Sequence, residues 1–136
     1  MLWIVSSMKW IMLLSGVLTS TMIYAAIAPD AALQSTFGET LSGPLAQIVV
    51  RNWGALIALI GAMLIYGAFN PVSRPLVLTV AGISKAVFIG LVLTLGDYLG
   101  RQAGVAVVID AVMIALFAWY LVAARVVKRA DVAVSV

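Results

Sequence analysis

Three ionisable residues, Lys85, Arg51 and Asp110, sit inside stretches that are otherwise apolar. Placing a charge within a membrane span costs about 2.5–3.5 kcal/mol on insertion scales, so such a residue marks a pair, a pathway or a ligand. Lys85 lies near the middle of its stretch, too deep to reach water along its own stem. Arg51 and Asp110 each lie roughly seven residues inside the outer end of their stretch, at nearly equal depth. An Arg51–Asp110 ion pair is therefore the favoured contact, if the second and fourth spans are neighbours. Asp110 is also the nearest acid for Lys85, which would then share it with Arg51. The other readings of Lys85 are a neutral amine, a contact to an anionic headgroup or a partner's carboxylate, and a ligand or proton role. Asn52 beside Arg51, and Phe37 in the first outer loop, complete the set of ligand or partner candidates.

The chain contains no cysteine and no histidine. Zinc sites of the usual Cys/His type, His or Cys haem ligation, and Ser-His-Asp or Cys-His nucleophile systems are therefore excluded. No catalytic residue, metal ligand or cofactor is assigned.

The elements that must position these residues follow from composition. Of the 136 residues, 65% are hydrophobic and 10% charged, with a mean hydropathy of +1.19. Soluble domains have about 45–50% apolar and about 25% charged residues. So small a soluble fold has too little interior to hide this surface, and the expected class is an all-α integral membrane four-helix bundle, one domain over residues 1–136. A span needs about 20 mostly apolar residues. Four are expected, at about 10–28, 45–69, 76–96 and 103–124, each bounded by a breaker or a charge. The first resembles a signal peptide, with Lys9, an apolar run and Ala26-Ile27-Ala28, but Pro29 would follow the cut, so it is read as a retained helix.

Lys and Arg in the loops set orientation. Lys9, Arg74, Arg125, Lys128 and Arg129 fall on one side, Arg51 and Arg101 on the other, which puts both termini in the cytoplasm. The net charge of +3 reflects these helix-end clusters, which suit lipid headgroups and not nucleic acid. In the first outer loop, residues 29–38 read as a short helix, opened by Pro29-Asp30 and closed by Gly38. Leu33, Phe37 and Leu41 form its apolar edge. It is read as an interfacial helix on the bundle rim, or else as a lid over an outward-facing cavity.

Apolar helices do not associate hydrophobically in lipid, so small residues that allow close backbone approach matter. Gly82, Ala86 and Gly90 on the third span, and Gly54, Ala58 and Ala62 on the second, each recur every four residues. They are read as packing stripes, inside one bundle or against a partner or second copy, with Lys85 on the inward stripe of the third span. Trp3, Trp10, Trp53, Trp119, Tyr24, Tyr98 and Tyr120 suit interfacial anchoring. Ser84, Thr79 and Thr94 are assigned no function, because Ser and Thr in spans usually bond their own helix. The tail Ala130 to Val136 is short and weakly polar.

One pattern carries a resemblance. The first span ends in Ala28-Pro29, and the loop holds Phe37-Gly38. Arg51-Asn52-Trp53-Gly54-Ala55-Leu56 then lies near the start of a Gly/Ala-rich second span. Asn70-Pro71 and Arg74-Pro75 precede the third. Over roughly residues 10–124 this resembles the DoxX-like four-helix membrane proteins. The resemblance implies a small bundle in the bacterial inner membrane. Some members of that group are subunits of membrane oxidoreductases that deliver electrons to quinone, and most have no assigned activity. No catalytic motif carries over to particular positions here.

The function expected first is a non-catalytic inner-membrane subunit or scaffold, packing with a partner membrane protein or lipid. The alternatives are a binder or enzyme for an apolar ligand such as quinone or lipid in a pocket between the helices, and a small proton-coupled transporter using Asp110 or Lys85.

Overall fold

A computed structural model describes residues 2–135. It contains six helices and, among the described residues, no strand: α1 Leu2–Ser20, α2 Ile23–Ile27, α3 Pro29–Phe37, α4 Pro44–Phe69, α5 Arg74–Thr94 and α6 Gln102–Val134. Helices α1 and α2 together, then α4, α5 and α6, make four segments long and apolar enough to cross a membrane.

Local chemistry explains most of the boundaries. Pro29 and Pro44 each occupy a first helical position, where a missing N–H costs nothing. Gly38 closes α3 in the left-handed region at φ +74° and returns its N–H to the Gln34 carbonyl, a conformation a side chain resists. Arg74 folds back across the tight turn after α4. Its Nε donates to Gly67 O at 3.0 Å and its Nη2 to Ala68 O at 2.8 Å, satisfying carbonyls that the helix end leaves open.

Two segments outrun the spans read from the sequence. The first helix begins at Leu2 instead of about residue 10, and the last continues to Val134 instead of about 124. Lys9, Arg125, Lys128 and Arg129 end the apolar pattern but not the helix, because Lys and Arg are good helix formers. At 33 residues, α6 is about 50 Å long at 1.5 Å per residue, more than a hydrocarbon core of about 30 Å requires. The tail up to Val134 is thus part of α6, and Val136 lies outside the described residues. The first span is also interrupted. At Thr19-Ser20-Thr21 the Thr21 N–H is shared between the Val17 and Leu18 carbonyls, both at 3.3 Å, before α2 resumes at Ile23. Consecutive hydroxyl and β-branched residues weaken a helix at such a point.

The helices form two tightly packed pairs, α1 with α4 and α5 with α6, joined by looser contacts of α4 with α5 and α1 with α6. The α1–α4 pair depends on backbone proximity. A Cβ built at Gly61 would collide with Ser20 and the Gly16 carbonyl, one at Gly16 with Ile65, and one at Gly54 with Ala25 and the Met22 carbonyl.

The packing stripes therefore differ from expectation. On α4 the inward small residues include Gly54, Gly61 and Ala68, seven apart, and Gly67, whereas Ala58 is half-buried and Ala62 exposed. On α5 the buried face is Val77, Leu78, Ala81, Lys85 and Val92. Ala86 and Gly90 are exposed, and a Cβ at Gly82 or Gly90 would meet nothing within 4 Å. Lys85 does face inward, but Gly82, Ala86 and Gly90 lie around the side of the helix from it.

The bundle's two halves are unlike. Toward the chain termini a close-packed core joins Ile4, Met8 and Met12 of α1, Leu64 and Ala68 of α4, Val77, Leu78 and Ala81 of α5, and Met113, Phe117, Tyr120 and Ala123 of α6. Methionine's unbranched thioether suits the irregular space between such helices. The other half, toward α3, holds a cavity.

Candidate functional site: an apolar cavity lined by an ion pair

The cavity occupies about 940 Å³ and lies between the helix pairs. That is near the top of the roughly 300–1,000 Å³ found for small-molecule sites. Its walls are mostly apolar: Leu56, Ile57 and Ile60 of α4, Val87, Phe88 and Leu91 of α5, and Val105, Ala106 and Ile109 of α6. Among the described residues, the only charged side chains lining it are Lys85 and Asp110.

Those two are paired. Lys85 Nζ donates to Asp110 Oδ1 at 2.6 Å, with relative side-chain exposures of 8% and 17%. A second Lys85 N–H reaches Thr19 Oγ1 on α1 at 3.3 Å. The short, charge-assisted contact is of the strong kind, and it joins α5 to α6, with Thr19 adding α1. The site stands beside the close-packed half. One helical turn before Thr19, Ser15 Oγ donates to Met113 Sδ at 3.0 Å, and Met113 itself lines the cavity.

The favoured Arg51–Asp110 pair does not form. Helices α4 and α6 lie diagonally across the bundle and make no substantial contact. Arg51 is exposed and turns toward the end of α2, where its Nη1 donates to Ala26 O at 2.7 Å and Ile27 O at 3.3 Å. The helix stops at Ile27, with Ala28 between it and Pro29, which opens α3, so Arg51 caps carbonyls of the last turn that the helix end leaves open. Of the three ionisable candidates, the fold brings Lys85 and Asp110 together and separates Arg51.

Phe37 does not line the cavity, but its neighbours Ser35 and Thr36 do. Its ring packs against Trp53, with centroids 6.2 Å apart, and edge-on against Tyr98 at 5.2 Å. This cluster fixes α3 beside the cavity, where Trp53, Tyr24 and Gln102 add polar atoms to an apolar surface. Beyond it, Tyr98 OH donates to Glu39 Oε2 at 3.3 Å. The neighbouring Glu39 carboxylate, then burial, then that hydrogen bond hold the Tyr98 phenol above its ordinary pKa. Asn52 is exposed on α4 and does not line the cavity. Thr79 and Thr94 donate to Pro75 O and Gly90 O of their own helix, both at 2.7 Å.

Thr19, Met113, Ser84 and Trp53 are site residues that the ionisable pattern alone misses. The four-residue spacing of Ser15 and Thr19 in an apolar helix was the available signal for the first of them.

The architecture defines a class: an all-helical chain with four segments able to span a membrane and a partly open cavity lined by a largely buried ion pair. No family model, curated protein or solved structure matches the chain.

Proposed function

We propose that this protein is a multi-pass membrane protein that binds an apolar, lipid-like molecule in the cavity between its helix pairs. The observation that carries the reading is the cavity of about 940 Å³, apolar along its walls and supplied with one polar locus, Lys85–Asp110. A largely apolar pocket with a few convergent polar groups is the usual form of a small-molecule site. A buried ion pair is weak evidence for stability, because apolar residues of similar size commonly serve as well. Its presence beside open space therefore favours a ligand role over a packing role.

The proposal carries an orientation and a location. The basic ends of α1 and α6 and the α4–α5 turn face the cytoplasm, α3 lies at the outer interface, and the membrane is a bacterial inner membrane. The DoxX-like resemblance belongs to the same proposal, with a lipid or the reduced, hydroxyl-bearing form of a quinone as the apolar molecule. Purification in mild detergent followed by native mass spectrometry tests it. A one-to-one small-molecule adduct, displaced when Ala106→Phe narrows the cavity, is the expected result. The absence of any adduct, together with an unchanged spectrum for the variant, refutes it.

A second reading, an accessory subunit seated on a membrane partner, draws on the uncovered Gly82, Ala86 and Gly90 of α5. Small residues exposed on a span allow a second helix to approach closely. A protein companion in fixed ratio in the same purification, lost with Gly82→Leu, would support it. A monomer without a companion would count against it.

A further inference from the structure

Resting on the ligand-binding reading above, we infer that the cavity selects molecules whose polar head is uncharged and both donates and accepts a hydrogen bond, a long-chain alcohol being the simplest.

The charge argument starts from the lining. Lys85 and Asp110 are the only charged side chains there among the described residues, and they are in contact with each other. Together they sum to zero. An ionised head entering this space would bring a net charge into apolar surroundings with no counter-charge left to meet it. Desolvation of such a charge is prohibitive without a partner. A carboxylate would compete with Asp110 for Lys85 and leave two acids around one base. An alkylammonium would do the converse.

The hydrogen-bonding argument starts from what the pair leaves open. Lys85 carries three N–H donors, of which one goes to Asp110 and one to Thr19. Asp110 accepts through Oδ1, and its Oδ2 takes no hydrogen bond among the described residues. Among the described residues no buried side-chain N or O lacks a partner, so that second oxygen is accessible. One N–H and one carboxylate oxygen therefore remain on a single ion pair. A hydroxyl accepts from the first and donates to the second without disturbing the 2.6 Å contact. An ester or a methyl ether can only accept and leaves Oδ2 unmatched. The apolar walls supplied by α4, α5 and α6 then take the chain.

The test uses three probes with the same bromine-tagged alkyl chain: ω-bromododecanol, ω-bromododecanoate and ω-bromododecylammonium. Each is titrated by mole fraction into micelles holding the wild-type protein. Bromine quenches nearby indole fluorescence. The Trp53 component, obtained by subtracting a Trp53→Phe variant, reports occupancy because Trp53 lines the cavity. The expected result is half-quenching by the alcohol at a mole fraction at least tenfold below that of either ion. Equal or better quenching by the carboxylate or the ammonium overturns the proposal while leaving a ligand cavity in place. If none of the three quenches Trp53 above the level seen for the other tryptophans, the ligand-binding reading fails, and this inference with it. Charge variants give a second readout. Asp110→Asn should shift preference toward the carboxylate and Lys85→Gln toward the ammonium, each by tenfold or more. Folded variants that keep the wild-type order would overturn the assignment to the ion pair. The wild-type series stands alone if either variant fails to fold.

Discussion

Replacing Lys85 and Asp110, singly and together, separates a pair kept for a ligand from one kept for stability. Lys85→Met leaves the Asp110 carboxylate without its 2.6 Å partner, and Asp110→Leu leaves the ammonium with Thr19 alone. Breaking a fully buried pair costs about 3–5 kcal/mol. Asp110 keeps 17% of its exposure and Lys85 8%, and both face open space. We therefore expect somewhat less, about 2–3 kcal/mol for each single change. The double variant removes both charges and leaves two apolar side chains of similar length. It should fall within about 1 kcal/mol of wild type, or be more stable, as charge-to-apolar swaps often are. Reversible unfolding in mixed micelles with increasing dodecyl sulfate, followed by circular dichroism, measures all four proteins. The singles correspond to about two decades in the unfolding constant, since 1.4 kcal/mol is tenfold. A double variant as unstable as the sum of the singles would refute the reasoning. It would mean that the pair anchors α5 to α6 and that the cavity is incidental to it.

Three further outcomes follow from the packing and the loops. Gly61→Ala should destabilise by about 1–3 kcal/mol, as overpacking does, because its Cβ would strike Ser20 and the Gly16 backbone. Gly82→Ala should be neutral or stabilising by up to about 1 kcal/mol through helix propensity; equal losses in the same unfolding assay would contradict this close-approach account. Arg51→Met should cost about 1 kcal/mol by uncapping Ala26 and Ile27, a value discounted from charged hydrogen bonds because Arg51 is exposed. An unchanged unfolding midpoint would sink it. The raised Tyr98 phenol binds its proton more tightly in the folded state. Its contribution to stability is therefore present below the free tyrosine pKa of about 10 and is lost as pH rises through the higher folded value. Ultraviolet titration of wild type minus Tyr98→Phe should show Tyr98 ionising above free tyrosine and moving down in Glu39→Gln. A midpoint that ignores the Glu39 change would refute the carboxylate as the main cause.

The four apolar segments, the short helix at Pro29–Phe37 and its Gly38 stop were legible in the chain, because each rests on local chemistry. Apolar length, proline at a first helical position and glycine in the left-handed region need no knowledge of neighbours. The inward direction of Lys85 was legible for a related reason, since a charge at that depth has nowhere else to go. The helix ends at Leu2 and Val134 were not, since charge interrupts hydropathy without interrupting the backbone's hydrogen bonds. Nor was Asp110's choice of partner. Depth along a helix made Arg51 and Lys85 both candidates, and only the order of helices around the bundle decided between them. With α4 and α6 on a diagonal, Arg51 is left to cap α2, and Asp110 meets the residue on its adjacent helix. The cavity is a tertiary property too. It exists because glycines draw α1 against α4 while α5 and α6 pack as a second pair, and the space between pairs follows from how four surfaces meet.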